Sequence, residues 1–146
     1  DNGSGKFRGI YTEGNVAVKS LFSEWFSPLS DLSEGTINAN ATGGTDHESF
    51  DDVGLPGFQF VQDPLDYRPR LHHTHVDSFD HVLPDDMRQA AVVMATFAYE
   101  AAMAENRVPR KPMPTAPSEL EQQQEQEKAR KRQRAKEREA LSEMPK

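Results

Sequence analysis

The 146 residues have the size of one ordinary domain, and their 35% hydrophobic content is enough for a single core. The chain has no cysteine, which excludes disulfides, thiolate metal sites and cysteine nucleophiles, so any metal ion must be bound by histidines and carboxylates. The net charge of −7 argues against a folded nucleic-acid-binding face, and no apolar run reaches the roughly 20 residues of a membrane span.

The first third of the chain predicts two strands around one helix. FRGIYT, residues 7–12, is typical of a strand, and Gly14-Asn15 supplies a turn and then a helix N-cap. TINAN, residues 36–40, indicates the second strand. Apolar side chains at helical spacing predict a core-facing helix between them, which Pro28 ends: Val18, Leu21, Phe22, Trp25 and Phe26.

The middle of the chain predicts a short helix, a strand and a loop. Thr45 and Glu48 fit a capping box, so the helix is expected to begin at the next residue after Thr45 and to end at Gly54. LPGFQFVQ, residues 55–62, predicts a third strand in a buried position rather than at a sheet edge, because its apolar run is nearly continuous. Residues 63–83 are expected to form a long irregular loop.

Residues 84–106 predict the longest helix, since Pro84 suits a first turn, two aspartates complement the helix dipole, and alanines favour helix. One apolar face is expected to pack, methionines included: Met87, Ala90, Ala91, Met94, Phe97, Ala98 and Ala101. Closely spaced prolines then indicate a linker over residues 109–117. The charged tail, residues 118–146, has no heptad seam and is expected to be helical or a solvated, partly disordered extension.

The loop sequence RLHHTHVDSFD, residues 70–80, concentrates ligand-capable side chains. His73 is followed four positions later by Asp77, a spacing that would let the imidazole bind a metal while the carboxylate fixes its tautomer. His75 lies two positions away and would point the same way on an extended segment. The residues alone leave three readings open, namely a zinc site, a pH-sensitive surface patch or chance.

Other catalytic patterns are missing from the sequence. It contains no Gly-x-Ser-x-Gly elbow, no phosphate-binding loop and no His-Glu-x-x-His zincin motif. The remaining chemistry is that of histidines and carboxylates.

Two stretches resemble the co-catalytic zinc exopeptidases, family 28 of the metallopeptidases, and in particular its plasma carboxypeptidase branch. They are DNGSGKFRGIYTEGN at the N-terminus and residues 42–112, TGGTDHESFDDVGLPGFQFVQDPLDYRPRLHHTHVDSFDHVLPDDMRQAAVVMATFAYEAAMAENRVPRKP. The resemblance covers about three quarters of the chain. It implies an α/β fold in which a mixed sheet is flanked by helices, with residues 1–108 as the C-terminal part of the catalytic domain.

The resemblance also implies a metal centre. In that family two zinc ions, about 3.5–4 Å apart, act with a water on a terminal peptide bond. Asp1 matches the Asp ligand and His73 matches the last His ligand, whereas the first His, the bridging Asp and a Glu-Glu pair have no counterpart here. Because Asp1 rather than Met begins the chain, we expect a piece of a longer enzyme, inactive alone since two ligands bind zinc weakly.

Further site residues follow from motif positions. His72 stands where related proteins often have an oxyanion-stabilising Tyr, and a solvent-facing histidine is nearly as plausible a reading. Asp46 and His47 are expected to shape the substrate pocket, although Asp46 alone would also serve the helix N-terminus. Arg70 is a candidate for binding a substrate carboxylate, with pairing to a loop aspartate as its alternative. Asp77 is expected to orient His73.

The function implied by the resemblance is therefore zinc-dependent exopeptidase action on a peptide or dipeptide, with a secreted or periplasmic location. The rival hypothesis is a metal-free relative that keeps the fold as an interaction module. Nucleic acid is not expected as a partner, although the basic run 128–136 is the one segment that would bind it. The sequence leaves homodimer formation open.

Overall fold

The computed structural model describes residues 2–112, so Asp1, the end of the proline-rich segment and the charged tail lie outside the described residues. The α/β architecture and the mixed sheet flanked by helices are confirmed. The main elements are β1 (Phe7–Tyr11), α1 (Lys19–Phe26), β2 (Thr36–Asn38), α2 (His47–Asp51), β3 (Phe60–Gln62) and α3 (Pro84–Met103). Shorter helical turns cover Val16–Val18, Ser27–Leu29, Tyr67–Leu71 and Phe79–His81.

The three strands form a sheet in the order β2-β1-β3, with β1 parallel to β2 and antiparallel to β3. Gly9 pairs with Thr36, and a Cβ on Gly9 would lie 1.9 Å from the Thr36 carbonyl oxygen, so only glycine fits this approach. β3 is an edge strand of the sheet that residues 2–112 form, and its side chains are half-buried. The prediction of a buried strand position was wrong for the described residues, because β3 pairs with β1 on one side only.

The first helix is confirmed, with an N-cap at Asn15 whose side chain accepts a hydrogen bond from the Ala17 N–H at 3.3 Å. One turn of 3-10 helix leads into α1. The predicted apolar face is the buried one, with Leu21 partly buried at its side: Val18, Phe22, Trp25 and Phe26.

The capping box predicted for α2 was wrong. Asp46 rather than Thr45 is the N-cap, and its side chain makes no capping hydrogen bond. The Thr45 hydroxyl contacts the His47 ring instead, and the Glu48 carboxylate accepts a hydrogen bond from the Gly44 N–H at 2.6 Å. The Thr45 hydroxyl thus contacts His47 and does not cap α2.

Helix α3 buries part of the predicted stripe, Ala90 and Phe97, together with two residues that were not predicted, Gln89 and Val93. Met87 and Met94 are 56% and 52% exposed, so the prediction that the methionines pack in the core was wrong. The helix turns a face centred on Val93 toward β1 and α1, which leaves both methionines at its border. The buried residues of α3 are Gln89, Ala90, Val93 and Phe97.

An aromatic cluster joins α3 to α1 and the sheet. The Phe97 ring lies 4.6 Å from that of Phe26, 5.4 Å from Trp25 and 5.2 Å from Phe60, measured between centroids. Phe7 stacks on Phe60 across the β1–β3 pair at 4.5 Å. Among the described residues, none of the helices is both long and apolar enough to cross a bilayer.

Candidate active site

The histidine loop begins with a single turn of π-helix, Tyr67–Leu71. The backbone N–H of His72 donates to the Tyr67 carbonyl at 2.8 Å, and buried Leu71 anchors the turn in the protein. The Thr74 hydroxyl donates to the carbonyl oxygens of Arg70 and Leu71 at 2.8 and 2.9 Å. These bonds fix the backbone on both sides of the histidine pair.

His73 is exposed and has a left-handed backbone, with φ of +57°. Only a few per cent of non-glycine residues adopt this conformation, which costs of order 1–3 kcal/mol and concentrates at functional sites. The His72 ring stacks on the His73 ring at 3.8 Å between centroids, with 24° between planes, and contacts Tyr67 at 5.1 Å. Stacking uses ring faces, so it is compatible with ring nitrogens that bind a metal or donate a proton.

The other residues predicted around His73 are spread along the loop. Arg70 is exposed, and its Nη1 lies 3.5 Å from the Asp66 carboxylate, which is the alternative pairing considered for it. The carboxylate of Asp77 has no hydrogen bond to His73 or to any other residue within 2–112, and it lines a neighbouring cavity. Its orienting role therefore stays a prediction, as does the substrate-binding role of Arg70.

Asp80, near the end of the histidine loop, has a lowered pKa. The Ser78 hydroxyl donates to the Asp80 carboxylate at 2.6 Å, and this hydrogen bond lowers the pKa of Asp80 below its usual value. His81 lies 3.9 Å from both the Asp80 and the Asp66 carboxylates.

A cavity of about 390 Å³ lies between the N-terminal segment, the histidine loop and α3. Its walls include Gly3–Gly5, Leu71 and Asp77, together with the two border methionines of α3. In sequence, the first of these segments follows Asp1 closely and Leu71 precedes His73 by two positions. The cavity therefore borders the loop that contains His73, whereas Asp1 lies outside the described residues.

A second cluster surrounds His47, which is 8% exposed. Its Nδ1 lies 3.2 Å from the Thr45 hydroxyl, and its Nε2 lies 3.3 Å from the Thr42 hydroxyl and 3.5 Å from Glu13 Oε1. Asp46, its neighbour, is exposed, and its carboxylate has no hydrogen bond or ion pair to another residue within 2–112. The two residues predicted to shape the pocket thus face opposite ways.

Glu13 is the residue of this cluster that sequence reasoning missed. It is 3% exposed, with φ of +50°, and its carboxylate accepts hydrogen bonds from both the N–H and the hydroxyl of Thr42, at 2.7 and 2.8 Å. Lys111 donates to the Glu13 carbonyl at 2.9 Å and pairs with Asp51. The sequence offers one local signal, the position of Glu13 in a turn directly after a strand. A buried carboxylate is unusual at such a position.

The described residues fit a zinc centre only in part. An exposed imidazole such as that of His73 is a suitable zinc ligand. Within residues 2–112, however, no group of three or more histidines and carboxylates is arranged to hold a metal ion. Asp1, the other predicted ligand, lies outside the described residues. A complete centre would therefore need carboxylate and imidazole ligands beyond the described part of the chain.

Comparison with known proteins gives two matches and one negative result. A family model described as Peptidase family M28 matches residues 1–98. Carboxypeptidase Q of Rattus norvegicus is 30% identical over 110 residues, which make up 75% of this chain and 23% of the relative. The chain thus spans about a quarter of the length of this curated relative. No solved structure matches it.

Proposed function

The chain belongs to peptidase family M28, and from that membership we propose that the protein is a zinc-dependent exopeptidase that hydrolyses terminal peptide bonds. The expected family and branch agree with both matches. The observation that supports the proposal is the backbone of His73, an exposed imidazole in the left-handed region, and by motif position this residue resembles the family's last ligand. Such a conformation persists where the surrounding structure imposes it, as the Thr74 and Tyr67 hydrogen bonds do here.

The residues of this chain have separate roles in the proposed reaction. Asp1 and His73 would bind zinc, and stacking against His72 would keep the His73 ring in one orientation. Bound zinc lowers the pKa of water and polarises the scissile carbonyl. His72 would donate a hydrogen bond to the negative charge that develops on that carbonyl oxygen.

The remaining site residues would handle the substrate and the ligand. Arg70 lies on an exposed turn next to the histidine pair, where its guanidinium could exchange Asp66 for a substrate carboxylate. Asp46 would present its carboxylate to the substrate, and Asp77 would orient the His73 ring once the metal is bound. A peptide or dipeptide is the substrate class that these groups suit.

The first His, the bridging Asp and the Glu-Glu pair of the family have no match in residues 1–146, so we propose that another part of the protein supplies them. Two ligands hold zinc weakly, and the 146-residue polypeptide alone is expected to be inactive. A secreted or periplasmic location is proposed from the family resemblance.

The test is made on the full-length protein. We expect it to contain zinc and to hydrolyse dipeptides, and His73→Ala to weaken binding of the zinc ion that His73 would hold and to lower hydrolysis by about 10²-fold. His75→Ala is the matched control, because it removes an exposed imidazole from the same loop without touching a predicted ligand. Equal activity of the two variants would refute the ligand assignment.

A metal-free interaction module is the second candidate. The observation in its favour is that residues 2–112 contain no three-ligand group. Metal analysis of the full-length protein separates the two candidates, since the module would contain no stoichiometric zinc and would not hydrolyse any dipeptide.

A further inference from the structure

Glu13 and His47 form a buried pair that the proposed zinc chemistry does not use. Both side chains are more than nine-tenths buried, and Glu13 Oε1 lies 3.5 Å from His47 Nε2. Burying an ionisable group is unfavourable unless hydrogen bonds compensate for lost water. The hydrogen bonds of this buried pair therefore have to compensate for the lost water, and they also fix the segments that they join.

The Glu13 end of the pair is rigid. Glu13 follows β1, which is fixed in the sheet, and its backbone is left-handed, a conformation that an L-residue keeps only when its surroundings impose it. Lys111 supports it from outside by donating to its carbonyl oxygen while pairing with Asp51 on α2. The carboxylate is thus held at a defined distance from the second helix.

The other end of the pair is a loop that would be loose without it. Residues 42–46 contain no regular secondary structure, and two of them are glycines. Glu13 accepts hydrogen bonds from both the backbone N–H and the hydroxyl of Thr42, where the loop begins. The two ring nitrogens of His47 hydrogen-bond to the hydroxyls of Thr42 and Thr45. The loop is therefore tied at its start, near its end and at the first residue of α2.

This arrangement leaves one functional group pointing outward. Asp46 lies between two tied residues, and its carboxylate is exposed although it occupies the N-cap of α2, where it would ordinarily bond a helix N–H. The anchored neighbours fix its backbone, and no described residue occupies its oxygens. A carboxylate in this state is preorganised for a ligand.

We propose that Glu13 and His47 are positioning residues that hold the 42–47 loop so that Asp46 is presented to the peptide substrate. The inference rests on the proposed exopeptidase function and adds two residues to its machinery. Because Asp46 is predicted to contact substrate and not metal, losing its position weakens substrate binding and leaves zinc content unchanged.

The experiment uses the full-length protein and compares Glu13→Ala with Glu13→Gln. The alanine removes both hydrogen bonds to Thr42. The glutamine keeps an oxygen to accept from the Thr42 N–H, while its NH2 group can donate to the Thr42 hydroxyl oxygen. We expect Glu13→Ala to raise KM for a dipeptide about tenfold with little change in kcat, and Glu13→Gln to restore KM to near the wild-type value. Glu24→Ala, an exposed change on α1, is the control.

Two further measurements keep the outcomes separate. Zinc content is measured for every variant, and hydrogen exchange of the Thr42 amide reports whether the loop has been released. If Glu13→Ala does not fold, Thr42→Val serves instead, because it removes the hydroxyl shared by Glu13 and His47 and keeps the backbone bond. Faster Thr42 exchange together with a higher KM supports the proposal.

The results that overturn the inference differ from those that overturn the function. Hydrolysis by the wild type with an unchanged KM in Glu13→Ala shows that the pair only stabilises the fold. Absence of hydrolysis in the wild type removes the exopeptidase proposal, and the positioning role with it.

Discussion

The side-chain amide of Gln89 hydrogen-bonds both the backbone N–H and the carbonyl oxygen of Phe7. Gln89 Oε1 accepts from the Phe7 N–H at 2.9 Å, and Gln89 Nε2 donates to the Phe7 carbonyl oxygen at 2.8 Å. A buried helix side chain thus completes the pairing of β1 at the point where the register between β1 and β3 shifts. The same amide also donates to the Leu32 carbonyl at 3.0 Å, which links α3 to the segment before β2.

Replacing Gln89 by Leu is therefore expected to destabilise the protein by about 2–4 kcal/mol, because it leaves the buried polar groups of Phe7 without these partners. The free energy of unfolding from urea titration measures the loss. Arg88→Ala, an exposed change on the preceding residue, is expected to stay within about 0.5 kcal/mol of the wild type. A similar effect of both changes would contradict the role of the amide.

Phe97→Ala is expected to lower the free energy of unfolding by about 3–5 kcal/mol, since it opens a cavity among the rings of α1, α3 and β3. The chain has one tryptophan, Trp25, whose ring lies 5.4 Å from Phe97, so its fluorescence follows the same region. Tyr99→Ala, which removes a 62% exposed ring from the same helix, is the control and is expected to have little effect.

Gly9→Ala is expected to break the pairing of β1 with β2. Its Cβ would meet the backbone carbonyl of Thr36, which cannot move without shifting the strand. Gly43→Ala provides the comparison, because its Cβ would meet only the flexible Glu48 carboxylate at 2.9 Å. Thermal unfolding should show a lower Tm for the first variant, and an equally low Tm for the second would speak against the close approach.

His73→Gly separates backbone strain from zinc binding. Glycine adopts the left-handed region readily, so in the presence of a chelator this variant is expected to be as stable as the wild type or more stable by about 1 kcal/mol. In the full-length protein with zinc present, the wild type should gain more stability from the metal than the variant does. His75→Gly, which relieves no positive φ, is expected to be no more stable than the wild type in the chelator.

Asp80 makes a pH-dependent contribution to the loop. The Ser78 hydrogen bond lowers its pKa, so the ionised form is favoured in the folded state. The stability that the ionised form contributes is present at pH values above the pKa that Asp80 has in the unfolded state. It is lost as the pH falls through the lower pKa that Asp80 has in the folded state. Ser78→Ala is expected to raise the Asp80 pKa toward its usual value in an NMR titration. Ser49→Ala, which changes an exposed serine on α2, should leave that pKa unchanged.

Local patterns were enough to predict the elements that depend on neighbouring residues. The α1 helix and its Asn15 cap follow from spacing and side-chain chemistry within a few positions. The same reasoning placed the start of the long helix correctly at Pro84 but predicted only part of its buried face, because the apolar stripe is broad in an alanine-rich sequence. Which side of α3 packs is decided by β1 and α1, which lie far away in the sequence.

The candidate site residues stay predictions that rest on the family resemblance. His73 and Asp46 stand out because the resemblance assigns their positions. Glu13 was missed because the residue it holds, Thr42, lies 29 positions further along the chain. Gln89 was missed for the same reason, and its polar side chain also hid its burial. Long-range hydrogen bonds of this kind leave no periodic signal in the sequence.

The bond between Gln89 and Phe7 also bears on how the protein folds. It spans 82 residues, so β1 stays incomplete until α3 has been synthesised. Folds dominated by contacts this distant in sequence form slowly, because the chain must close large loops before the contacts stabilise it. During translation, β1 can pair with β2 and β3 first, and the Phe7 N–H gains its Gln89 partner only when α3 forms.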